Sequence, residues 1–163
     1  MNDRVYVETT FVSYLTARPS RDLVIAAHQQ ITHEWWDTRR ASYELCVSQL
    51  VLDEVAAGDA QAAQERLLVL RPMLVLETTA DALELAKELL QAGALPAKAA
   101  DDALHIAIAA TRAIPFLLTW NCRHLANPNK MEHIKKVNEE LGLSTPLLTT
   151  PLNYVGGGES DVR

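Results

Sequence analysis

The chain has little cysteine. Cys46 and Cys122 stand far apart, so they form neither a disulfide framework nor a metal-ligand spacing. Both are expected to be reduced, in a cytoplasmic protein. Long apolar runs are missing as well. The stretch Phe116-Leu117-Leu118 is interrupted by Thr119 and Asn121, well short of a membrane span. The start, Met1-Asn2-Asp3-Arg4, leads into a strand-like run and lacks the pattern of a signal peptide. There is no G-x-G-x-x-G and no P-loop, so nucleotide-cofactor chemistry has no support. His28, His33, His105, His124 and His133 lack zinc-ligand spacing. Ser13, Ser20, Ser42 and Ser48 stand in no nucleophile elbow. Positive charge is also scarce: 15 Lys and Arg against 21 Asp and Glu give a formal charge of −6, which weighs against a nucleic-acid partner.

That deficit is uneven. From Arg112 to Lys136 the basic residues are Arg112, Arg123, Lys130, Lys135 and Lys136, and Glu132 is the one acid, so five minus one leaves a local +4. Two readings of the segment stand: a solvated basic helix face, or a surface for phosphates.

With 163 residues, 48% of them hydrophobic and 22% charged, the chain suits one globular domain with a sizeable core. Residues 4–8 predict a first strand, short, β-branched and aromatic. Thr9-Thr10 can cap a short helix over 11–15, and Pro19-Ser20 breaks the chain. Over 21–40, Leu23, Ala27, Ile31 and Trp35 recur every four residues and predict one buried helix face. Trp35 and Trp36 read as packing, one buried and one partly exposed, rather than as a base-stacking platform.

Residues 43–47 predict a second strand. Ser48 caps a helix through 55 with Gly58 as its stop, and Asp59 caps the helix over 60–70. A short strand over 73–76, a helix over 79–92 stopped by Gly93, and a largely apolar helix over 99–113 follow. A buried-type strand covers 115–119. Asn127-Pro128 opens a helix through 141 with Gly142 as its stop, and a last strand covers 145–149. Residues 156–163 are expected to form a disordered tail beyond a single domain of residues 1–155. Strands alternating with helices predict a three-layer α/β/α fold around a largely parallel sheet of 4–5 strands. Sites in such sheets lie beyond the carboxyl ends of the strands.

Four acids stand at or just beyond the ends of elements. Glu8 ends the first strand, where burying a carboxylate requires a partner or a cleft. Asp101 and Asp102 open the apolar helix, where acids meet the macrodipole favourably. Asp102 lies one turn before Ile106, so it shares the buried face and is the more informative of the two. Glu54 follows the second strand on a helix, and by itself reads as an exposed helix residue. Asn121, two residues past the strand over 115–119, projects at the same sheet edge as Glu8. Carboxylates gathered beyond strand ends suit hard divalent cations such as Mg²⁺ or Mn²⁺. His105, on the apolar helix, reads as a satisfied core histidine.

Four segments in order carry a resemblance: Tyr6-Val7-Glu8-Thr9-Thr10, Ser48-Gln49-Leu50-Val51-Leu52-Asp53-Glu54-Val55, Asp102-Ala103-Leu104-His105-Ile106-Ala107, and Leu117-Leu118-Thr119-Trp120-Asn121. Together they resemble the PIN-domain family, and within it the VapC-like toxins of bacterial toxin–antitoxin pairs. The resemblance implies a PIN-like fold and a divalent-metal-dependent endoribonuclease acting on RNA phosphodiesters. It maps catalytic positions to Glu8, Glu54, Asp102 and Asn121, and Mg²⁺ or Mn²⁺ ligands to Glu8, Asp102 and Asn121. Thr9 and Thr119 support them. It also implies a small antitoxin partner and a homodimer, with no membrane. In its light Arg112, Arg123, Lys130, Lys135 and Lys136 become candidate RNA contacts. Two positions depart from the family pattern: Glu8 replaces the usual Asp, and Asn121 replaces a common Asp with a neutral oxygen donor. These departures motivate a second expectation, a catalytically silent PIN-like module that binds RNA or protein. A third is an unrelated α/β phosphohydrolase with a similar acidic edge.

Overall fold

The computed structural model of the chain describes residues 2–153. Five strands form one sheet: β1 (Asp3–Val7), β2 (Tyr43–Ser48), β3 (Leu74–Leu76), β4 (Phe116–Leu118) and β5 (Leu147–Thr149), in the order β3-β2-β1-β4-β5. Every pairing is parallel. Parallel sheets are covered on both faces, so their inner strands read as continuous apolar runs. Val5, Tyr6 and Val7 of β1 are fully buried in this way, as are Leu117 and Leu118 of β4. The expected three-layer α/β/α fold is therefore present, with the upper of the expected strand numbers.

Among the described residues the helices are α1 (Thr9–Thr16), α2 (Leu23–Thr38), α3 (Gln49–Val55), α4 (Ala60–Leu70), α5 (Ala80–Gln91), α6 (Ala100–Thr111) and α7 (Pro128–Glu140). α1 packs on α2, α3 and α4, while α5 packs on α6 and α7, with the sheet between the two groups. Local signals set most boundaries. Ser48, Asp59, Thr79 and Asn127 each cap the helix that follows through a side-chain oxygen. Gly58, Gly93 and Gly142 all take positive φ just past helix ends.

Two expectations need correction. α1 begins two residues earlier than the capping threonines suggested, because Glu8 is its N-cap and accepts from Thr10 N. The predicted face of α2 is also wrong. Leu23 is 85% exposed, and the buried residues are Gln29, Thr32 and Trp35. A strict period of four advances about 40° too far per step on a 3.6-residue helix, so Leu23 and Trp35 cannot share a narrow face. Two of the three buried positions, Gln29 and Thr32, are polar, which hid them from a hydrophobic pattern. Thr32 Oγ1 donates to His28 O at 2.7 Å, and Gln29 bridges Ser20 N and Arg18 O. Trp35 is buried and Trp36 half-buried, as expected. The expected tail over 156–163 lies outside the described residues.

Candidate active site

The chain proceeds outward from β1 to β2 and β3, then returns to place β4 and β5 on the other side of β1. β1 and β4 thus flank the switch point, where a crevice opens past the carboxyl ends. Val7 pairs with Leu118, so the next residues, Glu8 and Thr119, emerge side by side. Glu8 N donates to Leu118 O at 3.0 Å, which holds this first step beyond the sheet in register.

Glu8 is 4% exposed. A buried carboxylate needs donors, and three converge on its Oε1: Thr119 Oγ1 at 2.6 Å, Thr10 Oγ1 at 2.5 Å and Thr10 N at 3.2 Å. Both hydroxyls are oriented in turn, because Thr119 Oγ1 accepts from Asn121 N at 2.9 Å and Thr10 Oγ1 accepts from Trp120 N at 2.8 Å. Each hydroxyl proton is thereby directed at Glu8. Among the described residues no donor meets Glu8 Oε2.

Glu54 reaches the same crevice from the helix after β2. It is half-buried there, not the exposed helix residue that its sequence neighbourhood suggested by itself. Its Oε1 accepts from Thr9 Oγ1 and from His105 Nε2, the latter at 3.1 Å. Burial pushes the Glu54 carboxyl up, but the His105 hydrogen bond and charge and the Thr9 hydroxyl outweigh it and hold the group below its ordinary value. His105 is fully buried in α6, and its Nδ1 lies 2.7 Å from Tyr6 Oη. Tyr6 Oη lies 2.7 Å from Ser48 Oγ, and burial holds the phenol protonated. Desolvation pulls His105 down, yet the Glu54 bond and the charges of Glu8, Glu54 and Asp102 raise it above its ordinary value. When protonated, His105 donates from Nε2 to Glu54 and from Nδ1 to Tyr6 Oη, which in turn donates a hydrogen bond to Ser48 Oγ.

Asp102 stands in the first turn of α6, one turn before His105 on the same face. Burial raises its carboxyl, while the His105 charge and the Asn121 hydrogen bond offset part of that. Asn121 Nδ2 donates to Asp102 Oδ1 at 3.1 Å. The oxygen expected to ligate a metal, Asn121 Oδ1, is directed elsewhere. It accepts from Arg123 N at 3.2 Å and His124 N at 3.0 Å, closing the turn after β4. As a metal ligand this oxygen would have to be shared with the two turn amides.

The structure therefore brings Glu8, Glu54, Thr9 and Thr119 together, and places Asp102 and Asn121 beside them as a bonded pair. One atom from each of Glu8, Glu54 and His105 falls within 4.8 Å of the others. Oxygen donors from two carboxylates fit a hard divalent cation. Both His105 nitrogens are already engaged, so His105 fits as the group that orients Glu54, not as a ligand. Sequence reasoning treated His105 as satisfied core. Its spacing of three from Asp102 was the signal that it faces the acids. Tyr6 and Ser48 were missed because their roles depend on contacts between elements, and Thr10 because Glu8 takes the cap position that the threonines were expected to fill.

The basic residues divide. Arg112 caps the C-terminus of α6, ten residues or about 15 Å of helix from Asp102. Lys135 and Lys136 lie on exposed positions of α7, in a groove with Glu132, His133 and Glu139. Arg123 and Lys130, together with Lys98, act electrostatically on His124, as does Asp102. These three cations are thus within electrostatic reach of His124, which Asp102 also reaches.

Fold and geometry define an α/β/α protein with an acidic centre at the switch point of a parallel sheet. A family model described as PIN domain matches residues 5–126, and the chain belongs to that family. Two solved structures are similar to it. One is the Mycobacterium tuberculosis toxin VapC20, described as a sarcin-ricin loop cleaving toxin. It has a TM-score of 0.59 and 19% identity, over 74% of this chain and 92% of that one. The other is VapBC2 from Rickettsia felis, bound to a DNA fragment from its promoter. Its TM-score is 0.53 with 17% identity, over 74% of this chain and 89% of that one. At these identities the likeness is one of fold. No curated protein matches the chain by sequence.

Proposed function

We propose that the protein is a divalent-metal-dependent endoribonuclease, hydrolysing RNA phosphodiesters at the Glu8–Glu54 centre. The observation that carries this reading is the convergence of two carboxylates, one nearly buried, at the switch point of a PIN fold. Glu8 and Glu54 would hold Mg²⁺ or Mn²⁺, with Asp102 as the adjacent third carboxylate. When bound, the ion supplies Lewis-acid stabilisation of phosphate charge and a more acidic water. Thr119 and Thr10 fix Glu8, Thr9 and His105 fix Glu54, and Asn121 fixes Asp102. Lys98, Arg123 and Lys130 are suited to phosphates flanking the scissile bond.

The similarity to the VapBC2 structure supports a small antitoxin as partner, and a homodimer is proposed on the same family likeness. Among the described residues no helix is long and apolar enough to cross a membrane; a cytoplasmic site of action is proposed on the family likeness alone. The nuclease domain is taken to span residues 1–155.

The test is incubation of purified protein with structured RNA and Mn²⁺ or Mg²⁺, with and without EDTA, beside Glu54→Gln and Asp102→Asn. Cleavage that needs the metal and falls by about 10² or more in the variants is expected. Equal cleavage by wild type and variants would overturn the assignment. The engagement of Asn121 Oδ1 by Arg123 N and His124 N favours one alternative, a silent PIN-like module. Calorimetric titration with Mn²⁺ separates the two: saturable binding that disappears in Glu8→Gln counts against silence.

A further inference from the structure

Thr119, Trp120 and Asn121 are consecutive, and the outer two serve the acids. The middle one turns toward α1 and α2. Trp120 is 8% exposed, its Nε1 donates to Thr32 Oγ1 of α2 at 2.7 Å, and its backbone N donates to Thr10 Oγ1. The indole is therefore fixed from both ends. Against it lies the ring of His28, centroids 4.1 Å apart and planes 15° from parallel. The ring of Tyr14 lies 5.9 Å from Trp120 at 20°, and 6.3 Å from His28 at 22°. Three rings from three elements thus share nearly one plane direction beside the acidic centre.

Core packing elsewhere in the molecule includes edge-on contacts, at 81° for Phe11 with Trp35 and 74° for Tyr43 with Phe116. Among the described residues the one other closely parallel pair, Trp35 with Tyr43, stands at the amino end of β2, away from the acids. Tyr14 and His28 are only half-buried. Among the described residues neither side chain makes a hydrogen bond, so the Tyr14 hydroxyl and the His28 ring nitrogens are open to a ligand. Parallel, partly exposed aromatic faces with free polar edges are what an unpaired nucleobase stacks on and bonds to. A neutral base also approaches an acidic centre without the repulsion that a phosphate meets. Lys98, Arg123 and Lys130 act on His124, in the turn after β4, whereas Tyr14 and His28 belong to α1 and α2.

We propose that Tyr14 and His28, backed by Trp120, form a stacking platform for one unpaired base of the RNA next to the cleaved bond. The proposal rests on the ribonuclease reading. It is tested by binding in EDTA, where no cleavage occurs, with single-stranded RNA carrying 2-aminopurine at successive positions. Wild type is expected to quench the fluorescence of one position. Tyr14→Leu and His28→Leu keep apolar bulk but remove the ring face, and are expected to lose the quench and weaken Kd about tenfold. Tyr14→Phe is expected to retain the quench. As a measurement free of folding effects, wild type should bind RNA with an abasic site at that one position about tenfold more weakly, and RNA abasic elsewhere normally. Leucine variants that quench and bind like wild type, or a wild type that quenches no position, would overturn the platform. Metal-dependent cleavage is assayed in parallel. Cleavage without quenching removes the platform and leaves the nuclease reading, whereas quenching without cleavage does the reverse.

Discussion

Thr119 and Thr10 are small residues with a large electrostatic duty, because their hydroxyls are the side-chain donors to an almost buried carboxylate. Thr119→Val keeps the volume and removes the donor. It should cost about 1–3 kcal/mol of stability by leaving Glu8 undersolvated, read by urea denaturation, and Mn²⁺ affinity should fall with it. A stability change within error would mean that Glu8 finds other donors. The His105–Glu54 pair makes a pH prediction for the metal-free protein in EDTA. His105 is raised above its ordinary 6.5, so its contribution is complete below 6.5 and is lost as pH climbs through the folded value. Glu54 is held below its ordinary 4.5, so its contribution is complete above 4.5 and is lost as pH falls through the folded value. Thermal unfolding followed across pH should place the pair's full effect between those limits, with a decline on the alkaline side. His105→Gln should flatten that alkaline decline. An unchanged profile would contradict the upward shift of His105 caused by the Glu54 bond and the neighbouring carboxylates.

At the scale of the element, α2 separates what a sequence pattern reports from what packing decides. Caps and stops were legible because Ser48, Asp59, Asn127 and the glycines act locally, within one turn of the helix they bound. The buried face of α2 was not, since it is lined by Thr32 and Gln29, whose burial depends on Trp120 and on the Arg18–Ser20 segment. The two versions of α2 differ in a measurable way. Thr32→Val leaves the Trp120 Nε1 donor buried without an acceptor and should cost about 1–3 kcal/mol. Leu23→Ala removes an 85% exposed side chain and should stay within about 0.5 kcal/mol of wild type. Denaturant midpoints of the two variants decide this. A costly Leu23→Ala with a neutral Thr32→Val would restore the face predicted from the period of four.

Across the whole molecule, the order of the acids along the chain was legible, because a parallel α/β sheet delivers the residue after each strand to one edge. Which acids would meet was not. The pairing of Glu54 with His105 needs α3 and α6 to converge, and the orientation of Asn121 is set by two amides of its own turn. The same limit applied to charge. A run of basic residues along the chain was spread by the fold over both ends of α6 and the outer face of α7, while Lys98, outside the run, joins Arg123 and Lys130 in acting on His124. A chain of net charge −6 that binds RNA must do so through such a local group. If Lys98, Arg123 and Lys130 each neutralise one phosphate, alanine at all three should reduce the slope of log K against log salt by about 2, at roughly 0.7 per contact with single-stranded RNA. Arg112→Ala, at the far end of α6, should leave the slope unchanged. Fluorescence anisotropy from low to moderate salt measures both. A slope that responds to Arg112 and not to the triple variant would move the RNA path to the opposite edge of the sheet, away from Glu8 and Glu54.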